Sequence, residues 1–348
     1  MKVLLPLAWL YGLAMYVRNK LFDWGLLRSQ AYDVAVIGVG NLAVGGTGKT
    51  PHTEYLLRLL HSRFRTATLS RGYGRKTKGF VLLDEHTTAA DGGDEPCQMR
   101  RKFPDVSVSV CEKRTVGMDA LLSLPQRPEA VVLDDNYQHR YVKAGLQILL
   151  TDYHRLYTQD SVMPAGRLRE CKRGARRADI IIVTKCPTTL SHDEADCIKK
   201  QLQPRPHQQL FFTTLSYGTP YRLQDATQAL SEPPLDMVMI AGIAHPEPLR
   251  DYWAAQGASV RLLRFPDHHA FTPAEARAMN EAFDKLPAGR SIVLTTEKDA
   301  ERLRQTASML MPPLLRRLYV QPVEVSFLFG GAEVFDARVR DFVSRFGA

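Results

Sequence analysis

The chain has 348 residues, of which 45% are apolar, so it can bury a sizeable core and form two domains or one large one. Its 46 basic and 37 acidic residues give a formal net charge of +9, which favours anionic partners such as phosphates, nucleic acid or an acidic membrane surface. Five cysteines, without any Cys-x-x-Cys spacing, argue against a disulfide framework and a zinc site and fit a reducing cytoplasm.

The N-terminal stretch is almost unbroken apolar over residues 3–17, carries Trp9 and Tyr16, and is followed by Arg18 and Lys20. This run is short for a bilayer span, which needs about 20 apolar residues. Aromatic residues and a basic flank are typical of a helix that lies in a membrane surface, so residues 1–28 are predicted to form a membrane-surface helix region. An ordinary packed N-terminal helix is the alternative.

A phosphate-binding loop is predicted after a buried-strand pattern at residues 34–39 and before a helical pattern at residues 52–60. At such a turn, glycines let backbone N–H groups approach phosphate oxygens, Lys49 can reach the β- and γ-phosphates, and Thr50 can bind Mg²⁺. The usual pattern has glycine where this chain has Ala43, so the other glycines must supply the flexibility. The predicted nucleotide-binding residues are Gly45, Gly46, Thr47, Gly48, Lys49 and Thr50.

Apolar runs alternate with helical patterns along the rest of the chain, which predicts a doubly wound, mostly parallel sheet carrying the phosphate-binding loop. The strand-like runs of this part are residues 66–69, 106–110, 130–133, 146–150 and 180–183. A later series predicts a second, smaller α/β unit. Its strand-like runs are residues 237–243, 260–265 and 291–295, and its helical patterns are residues 246–256 and 273–286.

The boundary between the two units is predicted near residues 204–209, which are polar and contain two prolines. The nucleotide-binding kinase domain then comprises residues 29–205, and the smaller C-terminal α/β domain comprises residues 206–348. Residues 211–215 and 319–327 are rich in β-forming side chains and can pair as a two-stranded connection, in which Pro322 restricts one strand to an edge.

Two adjacent carboxylates, Asp134 and Asp135, follow the apolar run at residues 130–133. This is the form expected of the acidic element that holds Mg²⁺ in phosphate-loop enzymes. Neighbouring strand residues point to opposite faces, so one of the two is expected to touch the metal, and the sequence does not decide which. Thr184-Lys185 resembles the start of a guanine-reading Thr-Lys-x-Asp element, but Pro187 stands at the Asp position. The sequence therefore favours ATP over GTP.

Three other clusters are candidates for the site. Asp94 precedes a helical stretch, where it is either a routine N-cap or a functional acid. His268 and His269 follow a strand, and because neighbours face different ways, one histidine acting on a proton is favoured over a two-histidine metal site. Residues 167–177 carry six basic residues and one acid, Glu170, which suits a phosphorylated or membrane-held substrate; a solvated basic face is the alternative.

Taken together, these motifs resemble the tetraacyldisaccharide 4'-kinase family, the lipid A 4'-kinases, in order and over roughly residues 35–300. The residues that carry the resemblance are Gly40-Asn41, Gly45 to Pro51, Ser70 to Gly74, Gly93 to Pro96, Asp134-Asp135 with Gln138-His139, Pro164 to Gly166 with Leu168 to Glu170, Ala241 to Ile243, Asp267-His268 and Thr296 to Asp299. The chain departs from the family at Asn136, where glycine is usual, and at Arg167, where proline is common.

The resemblance implies ATP- and Mg²⁺-dependent phosphorylation of the 4'-hydroxyl of a tetraacyl disaccharide 1-phosphate lipid. It places the chain, as a peripheral or monotopic protein, at the cytoplasmic face of a Gram-negative inner membrane, with no nucleic acid and no obligate protein partner. It implies ATP on residues 45–50, the proton-accepting acid at Asp94, and His268 assisting from the other domain. It also implies a metal site made from Thr50, Asp134 or Asp135, and Glu170.

Two other functional classes fit parts of the sequence. A membrane-associated phosphate-loop ATPase or switch protein would use the same loop without transferring phosphate to a lipid. A nucleic-acid-stimulated ATPase would use the basic surface, but the sequence shows no recognition helix or aromatic stacking motif for it.

Overall fold

The structure is a computed structural model of the chain and describes residues 4–346. Residues 1–3, which open the predicted membrane-surface region, and residues 347–348, which close the predicted C-terminal domain, lie outside the described part. The helices are α1 (Leu5–Asp23), α2 (Lys49–Leu60), α3 (Ala89–Gly92), α4 (Asp94–Lys102), α5 (Arg114–Leu122), α6 (His192–Leu202), α7 (Glu247–Ala255), α8 (Pro273–Asp284), α9 (Glu297–Gln305), α10 (Pro312–Arg316) and α11 (Gly331–Ser344). The strands are β1 (Ala35–Asn41), β2 (Thr66–Ser70), β3 (Val81–Leu82), β4 (Ser107–Val110), β5 (Ala130–Leu133), β6 (Leu146–Asp152), β7 (Ile180–Thr184), β8 (Gln209–Tyr217), β9 (Tyr221–Arg222), β10 (Asp236–Ala241), β11 (Ser259–Arg264), β12 (Ser291–Thr296), β13 (Leu318–Gln321) and β14 (Val323–Phe327).

The larger sheet has the order β14-β8-β7-β6-β1-β5-β2-β4-β3, with β1 at its centre. The strands from β8 to β4 are paired in parallel, and β14 and β3 add antiparallel edges. Ala35, Ile37 and Val39 pack into one apolar cluster and Val36 into another, because alternate residues of a strand point to opposite faces. The predicted doubly wound, mostly parallel sheet is confirmed.

The smaller sheet has the order β11-β10-β12-β13-β9 and is parallel except for the short edge strand β9. Helices α8 and α9 supply Ala276, Met279 and Leu303 to the apolar cluster on one face of this sheet. The predicted second, smaller α/β unit is confirmed.

The larger sheet includes two strands from the part of the chain that was predicted to be the C-terminal domain. Strand β8 continues the parallel sheet beside β7, and β14 pairs with β8 in antiparallel register at the edge. Pro322 directly precedes β14, which fits the expectation that this strand lies at an edge. The division at residues 205 and 206 stays a prediction about folding units, but the sheets do not divide there.

Helix α1 packs against the larger unit with one side only. Tyr11 donates a hydrogen bond to the Arg169 carbonyl (2.9 Å), and Arg18 donates to the Gln138 carbonyl (3.1 Å). The outer side exposes large apolar side chains, among them Leu5, Leu7, Trp9, Leu10 and Leu13. Within residues 4–346, no helix combines the length and the apolar character that a membrane crossing requires.

The two units meet where α4 packs against α9. Lys102, at the end of α4, lies between Glu54 of α2 and Glu297 of α9, with a separation of 2.7 Å between Lys102 Nζ and Glu297 Oε1. Burial, followed by the neighbouring Glu54, raises the pKa of Glu297 to about 7. Burial acts to lower the pKa of Lys102, but the two carboxylates outweigh it and raise that pKa. One lysine thus serves two buried carboxylates from different parts of the molecule.

Replacing Lys102 with methionine is expected to destabilise the protein by about 3–5 kcal/mol, because two buried carboxylates lose their cation. Urea-induced unfolding followed by circular dichroism measures this loss, with the exposed Lys200→Met as the matched control. Equal urea midpoints for the two variants would contradict the assignment of Lys102 as the charge that holds this interface.

Candidate active site

The phosphate-binding loop leaves β1 at the centre of the larger sheet and enters α2. Gly45 (φ 111°) and Gly48 (φ 81°) occupy left-handed conformations that other residues rarely adopt. Asn41 Nδ2 donates to Thr47 Oγ1 (2.7 Å), and Thr184 Oγ1 donates to the Thr47 carbonyl (2.9 Å). The loop is therefore held from β1 and β7 at once.

Ala43 stands where the common loop pattern has glycine, and its backbone pairs with another segment of the chain. Ala43 forms an antiparallel bridge with Leu168, and Val44 N–H donates to the Arg167 carbonyl (2.8 Å). Ala43 is not among the described residues with a positive φ, so a side chain is tolerated at this position. The departure from the pattern therefore leaves the loop conformation intact.

His52, on the first turns of α2, fixes the end of the loop. Its Nδ1 lies 2.7 Å from the Gly48 carbonyl and its Nε2 3.0 Å from Thr213 Oγ1. Burial lowers the pKa of His52 to about 4 and outweighs the hydrogen bond to Gly48. The neutral ring thus donates to Gly48 and accepts from Thr213, which ties the loop to strand β8.

Asp134 and Asp135 lie at the carboxyl end of β5, beside the loop. Thr53, one turn after Thr50 on α2, donates to Asp134 Oδ1 (3.0 Å), and Lys49 Nζ lies 3.8 Å from Asp135 Oδ1. Burial, followed by the adjacent Asp135, raises the pKa of Asp134 to about 6. Lys49 acts to lower the pKa of Asp134 but does not outweigh burial and Asp135, so this carboxylate is not fully compensated, and oxygen ligands are those that Mg²⁺ prefers. The residues present therefore fit a magnesium ion.

Asp135 differs from its neighbour because it already has cationic partners. Arg169 Nη1 lies 3.0 Å from both carboxylate oxygens of Asp135. Burial acts to raise the pKa of Asp135, but Lys49 and Arg169 together outweigh it and lower that pKa. The negative charge of Asp135 is balanced by Lys49 and Arg169, so Asp135 is placed to orient Lys49. The charge of Asp134 is less well balanced, so a bound metal ion would stabilise Asp134 more.

Glu170, the third predicted metal ligand, is buried in a separate network. Arg177 donates to both of its oxygens (2.8 and 2.9 Å), Asn19 of α1 donates to one (2.7 Å), and Gln138 donates to the other (3.1 Å). These four hydrogen bonds already occupy both oxygens of the carboxylate. The role of Glu170 as a metal ligand stays a prediction. Two of the six basic residues of the 167–177 cluster, Arg169 and Arg177, thus serve carboxylates within the protein.

Asp94 and His268, which are 174 residues apart in the chain, are brought into contact between the two units. His268 Nδ1 lies 2.8 Å from Asp94 Oδ2. Arg302 Nε donates to Asp94 Oδ1 (2.8 Å), and Arg302 Nη2 donates to Asp94 Oδ2. Burial acts to raise the pKa of Asp94, but His268 and Arg302 outweigh it and lower the pKa. Asp94 is therefore an ionised acceptor at neutral pH.

The local backbone on each unit positions the residues of the Asp94–His268 contact. Gly93, with φ at 92°, precedes the first residue of α4, and an added Cβ would lie 3.2 Å from the Tyr73 carbonyl. A side chain at this position would thus be strained and crowded. On the other unit, Thr296 Oγ1 accepts from Asp299 N–H (3.2 Å) and caps α9. That cap fixes the start of the helix that carries Lys298 and Arg302.

Arg302 is the site residue that the sequence analysis missed, and Lys298 was noted only as part of a motif. Lys298 Nζ lies 3.0 Å from His268 Nε2 and 3.3 Å from Glu95 Oε1. The available signal was the spacing of four residues between the two cations, which places them on one face of a helix. The sequence did not indicate which acid they would meet.

A cleft of about 490 Å³ opens between the two units. The loop residues Gly46, Gly48 and Thr50 line one side, Glu95 of α4 lies beside them, and Lys298 lines the other side. The acidic pair adjoins the loop through Thr53 and Lys49, and the Asp94–His268 contact adjoins the cleft through Lys298. These groups lie at the carboxyl ends of parallel strands, where open α/β sheets bind ligands.

Comparisons with known proteins agree with one another. The sequence model of a family described as tetraacyldisaccharide-1-P 4'-kinase matches residues 1–344. A Phocaeicola vulgatus protein named tetraacyldisaccharide 4'-kinase is 44% identical over 351 residues, which cover 99% of this chain and 95% of the relative. A Parabacteroides distasonis protein of the same name is 46% identical over 337 residues, covering 94% and 90%. The crystal structure of the "apo" form of LpxK from Aquifex aeolicus in complex with ATP matches with a TM-score of 0.74 at 27% identity, over 99% of this chain and 98% of that one.

Lys49→Ala is expected to lower the turnover number by about 10² or more, because the loop loses the fixed cation nearest to the transferred phosphate. Rates of label transfer from ATP to lipid measure this effect, with the exposed Lys143→Ala as control. Turnover near that of the parent in a folded Lys49→Ala protein would contradict the assignment of the loop.

Proposed function

The chain belongs to the tetraacyldisaccharide-1-P 4'-kinase family, and from this premise we propose which residues carry out its reaction. The reaction is the ATP-dependent phosphorylation of the 4'-hydroxyl of a tetraacyl disaccharide 1-phosphate, a step of lipid A biosynthesis. The observation that carries the proposal is the 2.8 Å contact between Asp94 and His268, which joins the two units beside the loop.

The loop residues Gly45, Gly46, Thr47 and Gly48 hold the phosphates of ATP through their backbone N–H groups. Lys49, which lies 3.8 Å from Asp135, places a positive charge where the transferred phosphoryl group passes. Thr50 and Asp134 are the proposed ligands of Mg²⁺, which when bound neutralises charge on the phosphates.

Asp94 accepts the proton of the 4'-hydroxyl as the hydroxyl oxygen forms its bond to the γ-phosphorus of ATP, while the bond from that phosphorus to the bridging oxygen breaks and ADP leaves. Its lowered pKa makes it a modest base, but phosphoryl transfer depends more on the position of the acceptor than on strong basicity. His268 and Arg302 fix the carboxylate from the second unit. Because the site needs residues from both units, closure of the two units on the bound substrates would assemble the site and exclude water from the reacting atoms.

The competing reading, an ATPase or switch protein that transfers no phosphate to lipid, is not favoured, because the family and its curated relatives are named as 4'-kinases. Product analysis separates the two. Incubation with labelled ATP and a tetraacyl disaccharide 1-phosphate is expected to place label in the lipid, whereas a switch protein would release only inorganic phosphate.

Asp94→Asn and His268→Ala are each expected to lower the turnover number by about 10² or more with little change in ATP affinity, as is typical for groups that take part in proton transfer. If the two act as one unit, the double variant loses scarcely more than the worse single variant.

His269→Ala is the matched control, since the neighbouring histidine pairs with Glu275 (2.8 Å) rather than with Asp94. Multiplicative losses in the double variant, or a folded single variant with the parent rate, would refute the shared role.

The membrane part of the proposal concerns α1. The substrate of the reaction is acylated and stays in a bilayer, and the outer side of α1 presents side chains such as Trp9, with 73% of its surface exposed. Lys20, in the last turn of the helix, suits anionic lipid headgroups, whereas Arg18 is engaged with the Gln138 carbonyl on the inner side. These features support a location at the cytoplasmic face of the inner membrane, with α1 lying in the surface.

Replacing Leu5, Trp9 and Leu13 together with glutamine is expected to abolish binding to vesicles of phosphatidylethanolamine and phosphatidylglycerol while leaving the fold intact, because these side chains are exposed. Vesicle co-sedimentation measures the binding, and Leu235→Gln with Val334→Gln, at exposed positions far along the chain, is the control. If the variant binds vesicles like the parent, or unfolds, the packed-helix alternative is favoured.

A further inference from the structure

Both ring nitrogens of His268 face charged groups, and these groups determine where the ring carries its proton. On one side Nδ1 faces Asp94 Oδ2 at 2.8 Å and Arg302 Nη2 at 3.0 Å. On the other side Nε2 faces Lys298 Nζ at 3.0 Å and Asp267 Oδ1 at 3.9 Å.

Two further groups lie near the ring. A carboxylate oxygen of Glu95 lies within 4.8 Å of a carboxylate oxygen of Asp94 and of a ring nitrogen of His268. The ring centroids of Tyr73 and His268 are 5.3 Å apart.

Lys298 is held as a cation at this position. It contacts Asp267 Oδ1 (2.8 Å) and Glu95 Oε1 (3.3 Å). Burial acts to lower the pKa of Lys298, but these two carboxylates outweigh it and raise that pKa. An ammonium group has three donors and no acceptor, so the hydrogen bond between Lys298 and Nε2 requires Nε2 to accept.

The opposite side of the ring accommodates either tautomer. Asp94 is an ionised acceptor, so a protonated Nδ1 would donate to its Oδ2. Arg302 Nη2 can only donate and lies 3.0 Å from Nδ1, so it would donate to an unprotonated Nδ1. Lys298 therefore decides between the two: a proton on Nε2 would point at its ammonium hydrogens, so the ring carries one proton, on Nδ1.

We propose that Lys298 is a positioning residue that fixes the Nδ1–H tautomer of His268 and thereby the orientation of the Asp94 carboxylate. This inference rests on the proposed role of Asp94 as proton acceptor. Lys298 acts through His268 and takes no proton from the substrate.

The arrangement determines which oxygen of Asp94 stays available. An ionised carboxylate accepts about four hydrogen bonds, two on each oxygen. His268 and Arg302 Nη2 occupy Oδ2, and Arg302 Nε occupies one site on Oδ1. The remaining site is on Oδ1, so this oxygen receives the 4'-hydroxyl proton. With the other tautomer, the Nδ1 lone pair would face Oδ2 and the carboxylate would turn.

Lys298 also lines the cleft beside Gly46 and Gly48, so a direct contact with nucleotide phosphate is the competing role. The two roles differ in what they change. If Lys298 binds the nucleotide phosphate, its loss changes the KM for ATP and does not change the tautomer of His268. If Lys298 is a positioning residue, its loss changes the tautomer and the turnover number.

The test is nitrogen NMR of the full chain with ¹⁵N-labelled histidine, recorded without substrate. The His268 signals are assigned by their loss in His268→Gln. The parent chain is expected to show a protonated Nδ1 and an unprotonated Nε2 at neutral pH. An Nε2–H tautomer or a doubly protonated ring in the parent chain would overturn the proposal without the need for any variant.

Three variants extend the test. Lys298→Met, which removes the donor, is expected to give a tautomer mixture and to lower kcat at least about tenfold, with the KM for ATP within about twofold. Lys298→Arg, which keeps a cationic donor, restores the tautomer and most of kcat. The exposed Lys285→Met serves as control. An unchanged tautomer in Lys298→Met, or a raised KM for ATP with kcat unchanged, would favour the phosphate-ligand role and overturn the proposal.

The NMR result does not depend on catalysis. If Asp94→Asn and His268→Ala were active but the parent ring showed the Nδ1–H tautomer, the proposed role of Asp94 would fail while the assignment of the tautomer held. If those variants were inactive and the ring showed another tautomer, only the role of Lys298 would fail.

Discussion

The contact between α4 and α9 is the interaction on which the candidate site depends. Asp94 meets Arg302 across this contact, and Lys102 meets Glu297. Burying charges costs free energy, so such pairs contribute less to stability than to the choice of one arrangement over others. Apolar side chains would let the two helices slide, whereas paired charges fix the register. The register is what the site requires, because Asp94 and His268 come from different units.

The same contact connects the nucleotide loop to the second unit. Glu54 lies on α2, directly after the loop, and shares Lys102 with Glu297, the first residue of α9. The next residue is Lys298, which contacts His268. A displacement of α2 therefore changes the charges around the start of α9. This continuous set of contacts links the phosphate-binding end of the cleft to the Asp94–His268 end.

The sequence predicted what depends on local pattern. The loop, the acidic pair after β5 and the mostly parallel sheet follow from glycine spacing and apolar runs. The sequence did not predict Arg302, because its contact with Asp94 spans 208 residues and no local pattern encodes its partner. Nor did it predict that β8 and β14 join the larger sheet across the proposed boundary, since prolines indicate a turn and not which sheet the next strand will enter.

Helix α1 bears on the geometry of the proposed reaction at the membrane. Its inner side contacts Gln138 and Arg169, and Arg169 holds Asp135 at the end of β5. Its outer side is apolar and exposed. A helix with its side chains is about 10–12 Å across, so on the proposed arrangement the acidic pair lies roughly one helix diameter from the lipid. On that arrangement a disaccharide would reach the acidic pair while its acyl chains stay in the bilayer, and the lipid would not need to be extracted before phosphoryl transfer.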